Sequence, residues 1–412
     1  MYRHRQVSGR LRTLAGAFPV VVVCGARQTG KTTLLRHLFP DADYVVFDPS
    51  MDVEHARQDP DLFLRNHRCP IILDEIQYAP EVVAAIKRHV DESPESYGRY
   101  LLTGSQQWQV MQAVAESLAG RTAFLDLEGF GLAEIAGVPN DTGWLGPWLD
   151  APDVFQNQSH TRLKLPYPLY ETLWRGFLPR ATFMDLAQVG DFWLAYQRTY
   201  VERDARLLTD VADWQQFGLF LRLTGALTAQ EVHYSQLGRD LGMTPGTAKR
   251  WLQVLRGTFQ WFEVPAFSGN QTKRISSKPK GYLTDTGLVC YGQQITAPAA
   301  LGGHPLYGAL FETAVIAEIR KQASRLERRP AFHHWRSAGG AEVDLLLERD
   351  GCFYPVEIKG TTNPGPRDAS GIQAFRRSYP HLRVAPGLVV APVEQPRRLT
   401  DDVFAIPWDL ET

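Results

Sequence analysis

The 412-residue chain contains few cysteines, no long apolar run and almost no net charge. Its four cysteines are far apart and form no Cys-x-x-Cys pair, which argues against a disulfide framework and against a zinc site of the usual spacing. No apolar run reaches the ~18 residues of a membrane span, and no signal-like apolar stretch follows the basic first residues. We therefore expect a cytoplasmic protein with no membrane segment.

The net charge of −1 also excludes a polycation. Any surface for an anionic polymer must therefore be a local basic patch, because salt screens charge beyond about 10 Å. The length predicts two to four domains. Changes in pattern along the chain divide it at three places, and we predict domains or segments at 1–140, 141–168, 169–290 and 291–412.

The first of these segments alternates short apolar runs with helical patterns. Strands are predicted at 19–24, 44–48, 69–75 and 100–105, and helices at 8–17, 32–38, 61–64 and 81–90. This alternation predicts a parallel α/β sheet. Residues 141–168, rich in Pro, Gly, Asn and Trp, are predicted to form an irregular connection or insertion. A helical region follows, and the order helix, strand, strand, helix, strand after residue 306 predicts a small α/β domain.

A glycine-rich loop follows the first predicted strand, and its pattern predicts phosphate binding. Residues 25–32 fit the pattern GxxxxGK[ST], in which glycines let backbone N–H groups approach phosphate oxygens at a helix N-terminus. Lys31 should reach the β- and γ-phosphates, and Thr32 should bind Mg²⁺. The predicted cofactors are ATP and Mg²⁺, and the predicted nucleotide-binding residues are Gly25, Ala26, Arg27, Gln28, Thr29, Gly30, Lys31, Thr32 and Thr33.

Further polar residues follow the other predicted strands. Asp74 is expected to hold Mg²⁺ and Glu75 to polarise the attacking water. Since the carboxyl ends of parallel strands meet in one crevice, Ser105 or Gln106 is expected to contact the γ-phosphate or the water. Arg121 fits an arginine finger delivered to a neighbouring subunit, and it fits an ordinary surface arginine equally well.

A set of motifs spread along the chain resembles the prokaryotic AAA+ superfamily ATPases that carry a C-terminal domain of unknown function. Besides the P-loop, the matching segments are 72–77, 102–105, 117–121, 176–179, 200–204, 280–288, 311–312, 342–344 and 356–359. The resemblance implies an AAA+ domain, a winged-helix element, a nuclease-like C-terminal domain and a homo-oligomer such as a ring or hexamer. It also makes Arg121 and Arg203 candidates for finger or sensor roles. Arg180 departs from the family, which usually has an acidic residue there.

A helix-turn-helix pattern lies at 234–255, with Thr244 as a cap and Pro245 at the first helical position. Residues 236–280 contain eight Lys or Arg against two Asp or Glu, a local net charge of +6. Such a patch can neutralise phosphates without sequence readout, although winged-helix modules also serve as ATPase lids or protein contacts. The predicted DNA-binding residues are Lys249, Arg250, Lys273 and Arg274.

The C-terminal segment carries a second predicted metal site. Glu357 and Lys359 alternate on one strand and so project from the same face, and a neighbouring strand can bring Asp344 beside them. Glu312, on a preceding helix, is a further candidate ligand. The set Glu312, Asp344, Glu357 and Lys359 resembles the PD-(D/E)XK fold of restriction-type nucleases, either as an active Mg²⁺ site or as a scaffold held by ion pairs.

Together these patterns predict an Mg²⁺-dependent ATPase that binds and remodels DNA. Two alternatives remain open at this stage: a DNA nuclease regulated by ATP, and a nucleotide-switched assembly or defence protein that does not contact DNA. The basic patch favours DNA binding over a nucleotide-switched protein that does not contact DNA.

Overall fold

The computed structural model describes residues 2–47, 53–105, 114, 118–138, 143–201, 214–270 and 277–411. The N-terminal part is a parallel sheet, as the sequence predicts, with the strand order β2-β3-β4-β1-β5. The sheet has one strand more than the four predicted, and the added strand is β5. Its strands are β1 (Val20–Cys24), β2 (Asp43–Val46), β3 (Ile71–Asp74), β4 (Tyr100–Gly104) and β5 (Thr122–Asp126). Its helices are α1 (Ser8–Ala15), α2 (Lys31–Leu38), α3 (Glu54–Gln58), α4 (Pro60–Arg65) and α5 (Glu81–Asp91), with a 3₁₀ turn at Ile76–Tyr78.

The central strand β1 explains why this sheet is covered on both faces. All five of its residues are buried. Val21 and Val23 pack with α1 and α2, whereas Val20, Val22 and Cys24 pack with α5 on the opposite face. A continuous β-branched run is typical of a strand buried on both sides.

Helices continue from the sheet as far as residue 201. They are α6 (Leu132–Ala136), α7 (Leu145–Asp150), α8 (Pro152–Asn157), α9 (Leu169–Arg175), α10 (Pro179–Phe183) and α11 (Val189–Tyr196), followed by a π-helical turn at Gln197–Val201. Where the sequence predicts an irregular connection, α7 and α8 are ordered by the buried Trp144 and Trp148, four residues apart on one helix face. Pro147 and Pro152 obscured this pattern, although proline is tolerated in the first turn of a helix.

The next region joins three helices to a small sheet. Its elements, in chain order, are α12 (Trp214–Ala226), β7 (Gln230–Glu231), α13 (Tyr234–Asp240), α14 (Pro245–Gly257), β8 (Trp261–Val264) and β9 (Lys280–Leu283). The sheet order is β7-β9-β8, with both pairs antiparallel. The predicted cap is present, because Thr244 Oγ1 accepts a hydrogen bond from the Thr247 N–H at 3.1 Å.

The C-terminal part is a mixed sheet preceded by two helices, α15 (Thr286–Gly292) and α16 (Tyr307–Arg325). Its main order is β10-β11-β12-β14-β16-β15, and β13 pairs with β12. The strands are β10 (Ala331–Arg336), β11 (Glu342–Arg349), β12 (Cys352–Ile358), β13 (Arg383–Val384), β14 (Gly387–Ala391), β15 (Arg397–Thr400) and β16 (Val403–Pro407); α17 (Ser370–Ser378) lies between β12 and β13. The sequence prediction has fewer strands, because His333, His334 and Arg336 mask the apolar pattern of β10.

One hydrophobic cluster runs from Phe130 to Leu410 and includes buried residues of α7, α11, α14, α16 and β12. A second cluster covers the other face of the C-terminal sheet. The insertion and the last strand are also joined directly, because β6 (Thr161–Arg162) pairs with β17 (Leu410–Glu411). The helical region and the C-terminal sheet therefore share a core. Within the described residues, no helix is both long and apolar enough to cross a membrane.

Candidate active site

The loop between β1 and α2 needs glycine at two positions. Gly25 has φ +154° and lies so close to β5 that a Cβ atom would be 2.1 Å from the Leu127 carbonyl oxygen. Gly30 has φ +92° and is the residue before the first turn of α2. Only glycine adopts both conformations without strain. The loop is thus held at the carboxyl end of β1, against the start of a helix.

Lys31 lies inside this loop. Its Nζ donates hydrogen bonds to the carbonyl oxygens of Gly25 and Ala26, both at 2.9 Å. Burial lowers the pKa of Lys31, while the carboxylates of Glu75 and Asp74 act in the opposite direction. The ammonium group is therefore desolvated beside two acidic side chains, at the position where the motif places a phosphate ligand.

Asp74 is surrounded by hydroxyl groups at the end of β3. Thr32 Oγ1 lies 2.9 Å and 2.8 Å from its two carboxylate oxygens, and Tyr44 donates at 2.9 Å. Thr103, at the end of β4, also donates to Asp74. Burial, and then Asp74, raise the pKa of Tyr44 to about 12. The paired hydroxyl of Thr32 and carboxylate of Asp74 are hard oxygen donors, the ligand type that Mg²⁺ prefers.

Glu75 has a left-handed backbone with φ +56°. For a non-glycine residue this costs of order 1–3 kcal/mol and often occurs at functional sites. The Glu75 carboxylate accepts hydrogen bonds from Gln77 Nε2 at 2.5 Å and from Ser105 Oγ at 3.1 Å. Burial raises the pKa of Glu75, but Lys31 and these hydrogen bonds outweigh it and the net pKa is lowered. Ser105 therefore orients Glu75 in this structure.

The remaining loop residues lie around the same point. Arg27 Nη1 is 4.0 Å from a Glu75 oxygen. Thr29 is buried and donates to the Ala26 carbonyl at 2.9 Å, so it braces the loop from within. Gln28 has a left-handed backbone with φ +63°. Thr33 is exposed in the first turn of α2.

Arg5 is a residue that the sequence reasoning missed. Its guanidinium is 5 % exposed and donates hydrogen bonds to the carbonyl of Thr29 at 2.6 Å and to that of Glu128 at 2.8 Å. It is also paired with Glu134, with Nε 3.1 Å from the carboxylate. Arg5 thus connects the loop to the segment after β5. No local motif marked it, because its partners are up to 129 positions away.

Arg121, one of the two predicted arginine fingers, is not beside this loop. Arg121 directly precedes β5 and pairs with Asp91 at 2.6 Å, at the amino end of the strands. Since β1 has five residues, Arg121 lies roughly 15 Å from the loop along the strand direction. It does not reach the nucleotide position of its own chain. Arg203 is outside the described residues.

A second group of charged side chains forms around Asp344. Lys280 of β9 is 7 % exposed, and its Nζ lies 3.1 Å from Glu312 of α16 and 3.2 Å from Asp344 of β11. Tyr282 also donates to Glu312 at 2.8 Å. Burial, then Asp344, raise the pKa of Glu312 to about 7. The structure thus brings Glu312 and Asp344 together, with a lysine between them that the sequence assigned to the basic patch.

Glu357 of β12 and Lys359, which directly follows β12, complete this charge cluster, and their side chains lie on the same side. Lys359 Nζ lies 2.9 Å from Glu357 and 3.5 Å from Asp344. Burial raises the pKa of Glu357 well above its usual value. Within the described part of the chain, no group of three or more His, Cys, Asp or Glu side chains is arranged to hold a metal ion. The predicted ligand set Glu312, Asp344 and Glu357 stays a prediction.

The basic patch is smaller in the structure than in the sequence. Lys249 and Arg250 are exposed on α14. Arg256 is paired with Glu263 at 3.4 Å, and Lys280 is buried in the charge cluster. The remaining predicted DNA contacts, Lys273 and Arg274, lie outside the described residues.

Three family models match successive parts of the chain. Residues 17–136 match an AAA domain, 168–299 match a domain of unknown function (DUF8612) and 307–410 match another (DUF4143). Uncharacterised proteins of Mycobacterium bovis and Mycobacterium tuberculosis are each 29 % identical over 411 residues, covering 99 % of this chain and 84 % of theirs.

Two solved structures are distantly similar. A Walker-type ATPase of Pyrococcus abyssi is 14 % identical with a TM-score of 0.42, covering 71 % of this chain and 96 % of that one. The Thermotoga maritima RuvB Holliday junction branch migration motor is 12 % identical with a TM-score of 0.31, covering 66 % and 95 %. Both scores are too low to specify a shared fold. The glycine loop, the parallel sheet and the matched domain model agree with one another, and they support a P-loop ATPase domain of the AAA type in the N-terminal part of the chain.

Proposed function

We propose that this chain is an Mg²⁺-dependent ATPase that binds DNA and uses ATP hydrolysis to remodel it. The observation that carries the ATPase part is the pairing of Thr32 with Asp74 beside the phosphate loop, with Glu75 next along the chain. Phosphate-loop ATPases need these three side chains close together.

Binding of the triphosphate follows from the loop and the helix behind it. The backbone N–H groups at the start of α2 and the helix dipole favour an anion there. Lys31 would exchange its hydrogen bonds to the Gly25 and Ala26 carbonyls for phosphate oxygens. Because its ammonium group is buried, the attraction to phosphate is screened little by water.

Thr32 and Asp74 would hold Mg²⁺, which supplies neutralisation of phosphate charge when bound. Glu75 is the candidate base that orients the attacking water and accepts its proton. Gln77 and Ser105 fix the direction of the Glu75 carboxylate. These hydrogen bonds also lower the proton affinity of Glu75, so the residue is ionised and able to accept a proton at neutral pH.

The ATPase proposal is tested with Lys31→Ala. We expect ATP hydrolysis to fall by at least about 100-fold, the size typical for loss of one electrostatic contact to the transition state. Lys87→Ala is the matched control, since Lys87 is an exposed lysine of α5 in the same domain. A Lys31→Ala protein that hydrolyses MgATP as fast as the Lys87→Ala protein contradicts the site.

DNA contact is proposed for α14. The element order helix, strand, helix, helix, strand, strand from α12 to β9 resembles that of a winged helix, and this supports α14 as the recognition helix. Lys249 and Arg250 are exposed on α14. Their charge can bind phosphates of any sequence, so we expect affinity to fall steeply with salt.

The DNA proposal is tested by measuring the ATPase rate with single-stranded, duplex and branched DNA at several salt concentrations. We expect at least one DNA to stimulate hydrolysis, and the double variant Lys249→Glu, Arg250→Glu to abolish stimulation while leaving the basal rate unchanged. Lys87→Glu is the charge-matched control. If no DNA stimulates the wild type but nucleotide changes its oligomeric state, the protein is a nucleotide switch that acts without DNA.

Assembly into an oligomer is proposed from the position of Arg121. At the amino end of the sheet it faces away from its own phosphate loop, so a role in catalysis requires a second copy of the chain. Its pairing with Asp91 keeps it on the surface of the domain, where it is 37 % exposed. Light scattering with and without MgATP measures the assembly.

A further inference from the structure

The charge cluster around Asp344 is built from two parts of the chain that are distant in sequence. Lys280 comes from β9, the last strand of the helical region, whereas Glu312, Asp344, Glu357 and Lys359 come from the C-terminal part. Their resemblance to a restriction-type nuclease implies a divalent metal on the carboxylates. The fit of a metal to these residues can be judged from the partners of each carboxylate oxygen.

Both oxygens of Asp344 and one oxygen of Glu312, which a metal would use, already accept hydrogen bonds. Glu312 Oε1 accepts from Lys280 at 3.1 Å and from Tyr282 at 2.8 Å. Asp344 Oδ1 accepts from Lys280 at 3.2 Å. Asp344 Oδ2 accepts from the Ile358 N–H at 2.9 Å and lies 3.5 Å from Lys359 Nζ. The Lys280 ammonium thus lies between Glu312 and Asp344, the two carboxylates that a shared metal would bridge.

Charge balance also disfavours a metal. Two ammonium groups offset two of the three carboxyl charges, so a divalent ion would change the net charge of the cluster from −1 to +1. Asp344 and Glu357 are only 3 % and 2 % exposed. A divalent ion placed among them would stand next to the fixed charges of Lys280 and Lys359 with little water to screen the repulsion. An Mg²⁺ ion also needs oxygens at about 2.0–2.1 Å and usually keeps several waters. The side chains of the charge cluster, in the arrangement that they have in this structure, therefore do not fit a divalent metal ion.

We propose that Lys280 takes the place of the metal, so that this cluster is a metal-free ion bridge that fastens β9 of the helical region to the C-terminal sheet. A cavity of about 330 Å³ borders the bridge and is lined by Lys280, Glu312, His334 and Glu342 among others. The cluster therefore holds the helical region and the C-terminal sheet together and does not cleave DNA.

The first test measures Mn²⁺ binding to nucleotide-free protein by calorimetry. Wild type and Asp344→Asn should give the same heat, because the cluster binds no metal. Thr32→Ala identifies any heat that comes from the phosphate loop. Heat that persists in Thr32→Ala but disappears in Asp344→Asn overturns the proposal, as does cleavage of plasmid DNA by wild type that Asp344→Asn lacks.

The second test removes the ammonium group. Lys280→Met should show a heat of Mn²⁺ binding that wild type lacks, and the added change Asp344→Asn should remove that gain. Lys280→Arg keeps the positive charge and should behave as wild type. If Lys280→Met has a native circular dichroism spectrum but does not gain Mn²⁺ binding, the proposal that Lys280 takes the place of a metal is refuted. If Lys280→Met does not fold, the comparison of Mn²⁺ binding between wild type and Asp344→Asn tests the proposal by itself.

Discussion

Replacing Arg5 by alanine should damage the phosphate loop from a distance. The guanidinium and the carboxylate of Glu134 are each 5 % exposed, so the change leaves a buried carboxylate without its cation. Removing one partner of a buried ion pair typically costs about 3–5 kcal/mol. Glu134 keeps hydrogen bonds from the N–H groups of Gln6 and Gly131, at 2.6 Å and 2.9 Å, which places the expected loss at the lower end, about 3 kcal/mol.

The loop itself should also respond. Arg5 holds the Thr29 carbonyl, which lies inside the nucleotide-binding segment. Without this contact the loop must be ordered by the nucleotide, so we expect ATP affinity to fall about tenfold, equivalent to about 1.4 kcal/mol. Arg5→Lys keeps the charge but not the forked set of donors, and it should lose less stability than Arg5→Ala.

Urea unfolding followed by circular dichroism, and calorimetry with MgATP, measure the two effects. Arg12→Ala is the control, because Arg12 is an exposed arginine of the neighbouring helix α1. If Arg5→Ala unfolds within about 1 kcal/mol of Arg12→Ala and binds ATP equally well, Arg5 does not brace the loop and the reasoning from its buried contacts fails.

Three further predictions concern catalysis, assembly and pH. Gln77→Ala should lower kcat for ATP hydrolysis by about tenfold with little change in KM, since Gln77 orients Glu75 and does not contact the nucleotide; an altered KM with normal kcat would contradict this. Lys31→Ala and Arg121→Ala should each be inactive, and mixing them should restore part of the ATPase rate if the arginine acts in a neighbouring subunit; no recovery in mixed oligomers argues against that role. Burial lowers the pKa of His334 from 6.5 to about 4. Because that folded-state pKa is below the unfolded value, the free energy of unfolding is highest above pH ~6.5 and falls by about 3 kcal/mol as the pH drops towards ~4. Urea unfolding at several pH values measures this loss, and His334→Gln should flatten this part of the dependence on pH.

The phosphate loop and the ends of β3 and β4 were predictable from sequence because the information is local. A buried apolar run followed by glycines or acidic residues specifies both the strand and the polar group at its end. This reasoning located Lys31, Thr32, Asp74 and Glu75 close together. It did not find Thr103, whose side chain bonds Asp74, because a threonine at a strand end has no distinctive pattern.

Residues whose role depends on distant partners could not be predicted in the same way. Lys280 was counted as part of a basic surface, since the sequence gives its charge but not its burial. Its partners Glu312 and Asp344 are 32 and 64 positions away.

The hydrophobic cluster that extends from Phe130 to Leu410 has a consequence for how the chain can be divided. A cut between the helical region and the C-terminal sheet would expose the apolar faces of α14 and α16 to water on both fragments. Exposed apolar patches of that kind lead to association. The matched domain borders near residues 299 and 307 therefore divide the sequence without marking a place where the protein separates into two stable pieces.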